Sequence, residues 1–233
     1  MLITGASRGI GLAIARALDR EGARLILTAR RRAPLARAAA QLPGTLMHMP
    51  ADVTRPGDVR RLAAAIRRRA RRLDILINNA GVFTYKPFAK TTLGEWRKNL
   101  ETNLTSIFLT TRVVLPLLKR RGGDVVNILS ISSRFPFANC SAYAASKFGA
   151  LGLTGVLRSE LRAEGIRVMA VLPGMTATRM KDDLGFRLPG DQLLLPVNVA
   201  DAVVGALTQP RHAMVEEILL APTAGAFRDD RQG

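Results

Sequence analysis

The sequence predicts an α/β domain built on a doubly wound parallel sheet of about seven strands, with helices on both faces. Short apolar runs alternate with longer amphipathic stretches from one end of the chain to the other. The first run stops at a glycine-rich turn, Thr4-Gly-Ala-Ser-Arg-Gly-Ile-Gly11. No repeat, linker or composition break divides residues 1–233, so one domain is expected. A strand, a helix and a second strand in such alternation form a crossover, which sets neighbouring strands parallel and places helices on the faces.

Strands are expected at residues 1–4, 24–29, 46–50, 73–78, 124–130, 168–172 and 217–221, apolar runs too short for helices. Helices are expected at 9–21, 34–41, 56–72, 92–119, 142–164 and 197–208. In the third, Val59, Leu62, Ala63, Ile66 and Ala70 recur every three or four residues and arginines fill the gaps. Thr92-Leu-Gly-Glu95 carries the spacing of a capping box. Gly22 and Gly165 suit helix ends, where glycine takes the left-handed conformation without steric cost. The first strand has almost nothing before its glycine turn, although it belongs in the middle of the sheet. Residues 175–196 mix glycine, charge and leucine after a strand end, and are expected to form a substrate lid. There Met175, Met180, Leu184, Phe186 and Leu188 offer an apolar wall, and Arg179 and Lys181 a place for an anionic group.

At 233 residues and 48% hydrophobic content the chain can bury one sizeable core. No apolar run approaches the roughly 18 residues of a membrane span, and no secretory leader opens the sequence, so a cytoplasmic protein without membrane contact is expected. Cys140 is the only cysteine, which excludes an internal disulfide; His48 and His212 have no ligand-spaced partner, so no metal is expected. The formal charge of +17 raises nucleic acid as a partner. The densest run, Arg67-Arg-Arg-Ala-Arg-Arg72, instead falls on the solvated face of the third helix, and nucleic acid is not the expected partner.

The glycine turn sits after a strand and before Ile10, Ile14, Ala17 and Leu18, the inward face of a helix. Glycines there let backbone amides at a helix start approach a pyrophosphate, which makes Gly5, Ser7, Arg8, Gly9, Ile10 and Gly11 candidate contacts. Roughly 20 residues on, where NAD sites place an acid for the ribose hydroxyls, the second strand ends in Ala29-Arg30-Arg31. Arg8 and Arg30 offer guanidinium forks for a 2′-phosphate, so NADP(H) is favoured over NAD(H).

Tyr143 and Lys147 lie four residues apart in Ser141-Ala-Tyr-Ala-Ala-Ser-Lys-Phe-Gly149, on one face of a helix. A fixed ammonium favours a phenolate, and Lys147 is expected to lower the Tyr143 pKa from about 10. Such a phenol can give and take a proton near neutral pH.

With these elements in order, the chain resembles the short-chain dehydrogenase/reductase family, in its compact branch of Rossmann-type single domains. The likeness covers nearly the whole chain. It rests on Thr4-Gly-x-x-x-Gly-x-Gly11, Asp52-Val53, Asn78-Asn-Ala-Gly81, Asn103, Ser130, Tyr143-x-x-x-Lys147 and Pro173-Gly174. The resemblance implies hydride transfer between a nicotinamide cofactor and a small carbonyl or alcohol substrate. Tyr143 would be the acid and base, Ser130 would hydrogen-bond the substrate oxygen, Lys147 would hold the nicotinamide ribose, and Asn103 would support a proton path to Lys147. Asp52 and Val53 would meet the adenine, and Asn78 to Gly81 (Asn79 and Ala80 included) would line the adenosine half, with Asn79 serving mainly to tie strands together. Pro173, Gly174, Thr176 and Thr178 would embrace the carboxamide. Ser130 stands thirteen residues before Tyr143, the family spacing, and Ser132 is its rival. Ser133 stands where the family often has glycine, and Cys140 reads as a packing residue.

The resemblance also implies a homodimer or homotetramer through the helices at 92–119 and 142–164. The chain end lacks the glycine-rich motif of many relatives, like bacterial reductases that include enzymes of 3-hydroxy acids; 3-oxoacyl or 3-hydroxy-acid substrates are the implied class. The competing reading is a catalytically silent nucleotide-sensing or interaction protein on the same scaffold. The presence of Asn103, Ser130, Tyr143 and Lys147 together argues against it.

Overall fold

The computed structural model describes residues 1–70, 72–119, 122–180 and 189–224. The elements run β1 (Leu2–Thr4), α1 (Gly9–Arg20), β2 (Leu25–Ala29), α2 (Arg32–Ala39), β3 (Thr45–Pro50), α3 (Pro56–Arg69) and β4 (Ile75–Asn78). They continue with α4 (Leu93–Leu100), α5 (Ser106–Leu118), β5 (Asp124–Ile128), α6 (Ser141–Leu161), β6 (Arg167–Pro173), α7 (Pro196–Leu207) and β7 (Glu217–Leu220). The seven strands form one sheet in the order β3-β2-β1-β4-β5-β6-β7, every neighbouring pair parallel. This is the single Rossmann-type domain expected from the sequence.

Alternation along the strands divides the core between the two faces of the sheet. Ile3, Leu27, Ile77, Val126 and Val171 face α1, α2 and α7, packing on Ile14, Leu18, Leu35, Val199 and Val203. Leu2, Ile26, Leu76, Val125 and Val168 point the other way, onto Leu62, Ile66, Val114, Leu118 and Leu161 of α3, α5 and α6. In α3 the apolar stripe is buried, and Arg67, Arg68 and Arg69 stand in solvent in the last turn. Among the described residues no helix is long and apolar enough to cross a membrane. Gly22 and Gly165 end their helices at φ of 73° and 70°, and Thr92 and Glu95 close the expected capping box.

The helix expected at 92–119 is not one α-helix. A π-helical turn, Glu101–Thr105, joins α4 to α5 and contains Asn103. Its local cause is the side chain of Asn103, which is bonded to Val82 and Ser146 on two other segments and pins the turn inward. β1 is three residues long, yet central. Its partners on either side, β2 and β4, make its C-terminal end the point where strand order reverses, and in open α/β sheets that is where a ligand crevice opens.

The opposite end of the sheet is closed by a buried ion pair. Arg167 and Asp124, 7% and 8% exposed at their side chains, meet through Nε–Oδ1 at 2.7 Å and Nη2–Oδ2 at 3.2 Å. Arg167 also donates to the carbonyls of Leu207 and Gln209, tying α7 to the sheet. Asp124→Ala leaves that guanidinium buried without its counter-charge. It should lower unfolding stability by about 3–5 kcal/mol, and Arg211→Ala, removing the half-exposed outer partner of Asp124, by under about 1 kcal/mol, both read from urea unfolding.

Candidate active site

The cleft at the C-terminal ends of β1 and β4 encloses about 1250 Å³. It is lined by the glycine turn (Gly5, Ser7, Arg8, Gly9, Ile10), by Arg30, by Asp52 and Val53, and by Asn79, Ala80 and Gly81. Ser130, Tyr143, Lys147, Pro173, Gly174, Thr176 and Thr178 complete the wall. Nearly every residue singled out in the sequence thus comes to one crevice. Gly11 lies just behind it, and Asn103 and Asn78 do not open onto it.

The glycine turn is shaped by backbone contacts. Gly5 and Gly9 have φ of 65° and 57°. A Cβ on Gly11 would stand 2.3 Å from Asn79 Nδ2 and 2.6 Å from the Gly5 carbonyl. Asn79 Nδ2 donates to the carbonyls of Thr4 and Gly5 at 3.0 and 3.3 Å, so its amide holds the turn against β4. The first turn of α1 receives no side-chain cap and contains no acid, in contrast to α4. Free amides at a helix start, with Arg8 beside them, make a cradle for an anion.

The adenosine end is strongly basic. Arg8, Arg16, Arg30, Arg31 and Arg37 line it, and Asp52 is the one acid among the lining residues. Arg16, Arg31 and Arg37 were not among the sequence candidates; Arg16 stands on α1, and Arg31 and Arg37 belong to the start and body of α2, which begins two residues earlier than its apolar pattern indicates. Asp52 Oδ1 accepts from the Thr54 amide and hydroxyl at 3.0 and 2.7 Å, so the acid also shapes the turn into α3. Asn78 does not line the adenosine half. It is buried within the sheet, where Nδ2 donates to Asn127 Oδ1 at 2.9 Å and Oδ1 accepts from Thr110.

At the other end, α6 presents Tyr143 and Lys147. Both are buried, at 8% and 4% exposure. Burial pushes the Tyr143 phenol up to about 12, opposed by its hydrogen bond with Ser130. The direction is opposite to the lowering expected from Lys147: desolvation of the phenolate is the largest cause, and the Lys147 Nζ lies 5.7 Å from the ring centroid and donates to the Ile128 carbonyl at 3.1 Å. Burial also brings Lys147 down to about 8. Among the serines, Ser130 lines the cleft; its Oγ accepts from the Ser132 amide. Ser133 is accommodated in a 3₁₀ turn, Ile131–Ser133, with its hydroxyl buried and without a partner. Cys140 is buried, its thiol raised to about 11, as suits a packing residue.

Asn103, 1% exposed, spends its amide on protein groups. Oδ1 accepts from the Val82 amide, and Nδ2 donates to the Val82 carbonyl and to Ser146 Oγ, each at 2.9 Å. Ser146 Oγ in turn donates to the Tyr143 carbonyl at 2.7 Å. Of the expected lid, Leu184, Phe186, Leu188 and Lys181 lie outside the described residues. Its two ends are joined: Thr176 pairs with Leu194, and Met175 and Ala177 bond Leu194 on either side. Arg179 and Met180 reach the cleft.

Residues 1–186 match the family model described as short chain dehydrogenase. The chain belongs to the short-chain dehydrogenase family. It is similar to an uncharacterized oxidoreductase of Staphylococcus haemolyticus, 34% identical over 223 residues that cover 95% of this chain and 96% of the relative. Among solved structures it is similar to an alcohol dehydrogenase from Thermococcus sibiricus complexed with 5-hydroxy-NADP. There the TM-score is 0.90 at 30% identity, covering 97% of both chains. A serine dehydrogenase from Escherichia coli superimposes with a TM-score of 0.86 at 28% identity, over 97% of this chain and 99% of the other. This short-chain dehydrogenase is an oxidoreductase that works with a nicotinamide dinucleotide on small molecules.

Gly11→Ala forces a methyl group into the Gly5 carbonyl, which cannot yield without opening the turn. Dinucleotide affinity measured by calorimetry should fall at least about 10-fold, whereas Gly205→Ala, in open space on α7, should be neutral or stabilise by about 0.5–1 kcal/mol. Lys147 makes a pH-dependent prediction. Its folded value near 8 lies below the unfolded 10.5, so the folded state binds fewer protons between those pH values and becomes more stable as pH rises through them. Lys147→Met removes the buried charge. It should raise stability at pH 7 by on the order of 2 kcal/mol, the gain fading between about pH 8 and 10.5 in unfolding measured across pH.

Proposed function

We propose that this short-chain dehydrogenase is NADP(H)-dependent and interconverts a carbonyl and a secondary alcohol on 3-oxoacyl or 3-hydroxy-acid substrates, with Tyr143 as acid and base. The observation that carries the reading is the meeting of Ser130 and Tyr143 in the wall of a basic cleft, with Lys147 one helical turn along from Tyr143. The cleft fits the dinucleotide: a turn that excludes a Cβ, uncapped amides at α1 and arginines that, among the described residues, outnumber the lining acid Asp52. When bound, the nicotinamide supplies or accepts the hydride. Ser130 holds the substrate oxygen, where negative charge develops. Tyr143 hands its proton to that oxygen in reduction and takes it back in oxidation. The buried ammonium of Lys147 steadies the phenolate left behind, the more so because little water screens it. Asn103 acts as a positioning residue, holding the Val82 segment and, through Ser146, the helix that carries both groups.

Arg8 and Arg30, with Arg31 nearby, support the preference for NADP(H), since a doubly charged 2′-phosphate suits paired guanidinium groups and a diol does not. The NADP form in the Thermococcus structure agrees with it. The serine dehydrogenase likeness supports a 3-hydroxy acid, and Arg179 at the cleft supplies a partner for its carboxylate. Exposed Phe108, Phe148 and Val156 on α5 and α6 support a homodimer or homotetramer through these helices. The test is NADPH oxidation over a panel of 3-oxo acids and esters. Tyr143→Phe should lower kcat by about 10²–10⁴-fold with NADPH affinity retained. Arg30→Glu should cost NADPH at least about 10-fold more than NADH in kcat/KM. Tight NADPH binding with no turnover of any carbonyl would favour the silent sensing protein instead.

A further inference from the structure

Beside the Tyr143 phenol the chain places rings. Phe83, in the loop after β4, meets the Tyr143 ring edge to face, with centroids 4.8 Å apart and planes at 89°. Tyr85 lies nearly parallel to Phe83, at 6.2 Å and 25°. Asn139 fixes this pair from the loop before α6. Its Nδ2 donates to the Tyr85 hydroxyl at 3.2 Å, and its carbonyl accepts from the Lys86 amide at 2.7 Å. Asn139 is also the one non-glycine residue with positive φ among the described residues, at 63°. A backbone held in that conformation marks a loop whose shape is specified. The same loop carries Phe135 and Phe137, 47% and 40% exposed.

Aromatic residues make up only 5% of the chain, so Phe83, Tyr85, Phe135 and Phe137 on the two loops that flank Tyr143 are not a by-product of composition. Two of the cations on these loops are paired: Lys86 with Glu95 at 2.7 Å and Arg134 with Glu217 at 2.6 Å. Across the cleft the Met180 methyl stands 3.9 Å from where a Gly81 Cβ would be, a soft apolar lip on the other side.

We propose that these rings, which continue the cleft edge past Val82 and reach it through the Phe83–Tyr143 contact, are a specificity site for a flat apolar ring, so that the favoured substrate carries an aryl group on its carbonyl carbon, packed against Phe83. The proposal rests on the reductase reading and narrows its substrate. Phe83 supplies a rigid edge or face for a second ring, and aromatic pairs gain over aliphatic ones at such geometry. Tyr85 and Asn139 keep Phe83 from turning away. The polar part of the substrate, the acid or ester two bonds from the carbonyl, is left to the Arg179 side of the cleft.

Ethyl benzoylacetate and ethyl acetoacetate test this directly, because they share the 3-oxo ester and differ only in phenyl against methyl. With NADPH, the native enzyme should show kcat/KM at least about 10-fold higher for the phenyl ester, mainly through KM. Phe83→Leu keeps apolar bulk and removes the ring. It should cost the phenyl ester more than the methyl ester and bring the ratio to within about threefold. Tyr85→Leu, one ring further out, should act in the same direction with smaller size, and serves if the Phe83 variant does not fold. An equal or reversed native preference, or a ratio untouched by both variants, overturns the ring site. If neither ester is reduced, the reductase reading is what has failed. Calorimetric titration of the two esters into the NADPH-saturated protein then decides the ring site alone. Tighter phenyl-ester binding, weakened by Phe83→Leu, sustains it; indistinguishable binding of the two esters overturns it.

Discussion

The functional half of the molecule hangs from one stitch, the reciprocal bonding of Thr4 and Asn79 across β1 and β4. The Thr4 hydroxyl accepts from the amides of Asn79 and Ala80 at 2.9 and 3.0 Å, and the Asn79 side chain returns two bonds to the carbonyls of Thr4 and Gly5. Those two strands lie about seventy residues apart in the chain and side by side in the sheet. The stitch holds the glycine turn in the shape that leaves the α1 amides free, and it sets the floor from which Ala80 and Gly81 line the cleft. A glycine-rich turn without this partner would be one of many conformers of a mobile segment.

A second frame holds the chemistry at the other end. Asn78, Asn127 and Thr154 form a buried polar ladder from β4 through β5 to α6, each link close to 2.9 Å. Asn103 and Ser146 fasten the same helix from the side. With its backbone fixed this way, α6 can keep a phenol and an ammonium out of water at the mouth of a cleft. For Lys147 that arrangement works against folding at neutral pH, since burial displaces the ammonium toward its neutral form. It favours catalysis, since charge formed there is poorly screened.

The strands and helices were legible because their apolar periods are undisturbed; every boundary falls within about three residues of its expected place. The site was legible where chemistry follows chain position, as in the glycine turn and the Tyr143–Lys147 spacing. What escaped depends on contacts between distant segments. Asn78 carries a polar side chain in a motif beside Asn79, yet strand alternation turns it into the sheet. Arg31 and Arg37 reach the cleft through the start of α2, which has no capping signal to mark it. The Tyr143 value went the other way because a sequence gives the distance between two charged groups but not the depth at which they are buried. The Phe83 and Tyr85 rings lay in a loop without a period, and nothing local joined them to Asn139 more than fifty residues later.

The π-turn at Glu101–Thr105 bears on how this scaffold tolerates change in length. Such a turn holds one residue more than the α-helical turn it replaces. Removing the extra residue would restore regular α-helix in phase, but straightening the turn with all its residues kept would swing everything beyond it by about 100° around the axis. The stripe of Ile107, Val114 and Leu118 would then leave the sheet, and Asn103 would lose either Val82 or Ser146. The widened turn is therefore a phase adjuster between two halves of a helix, one facing the catalytic helix and one facing the core, and straightening it would uncouple them.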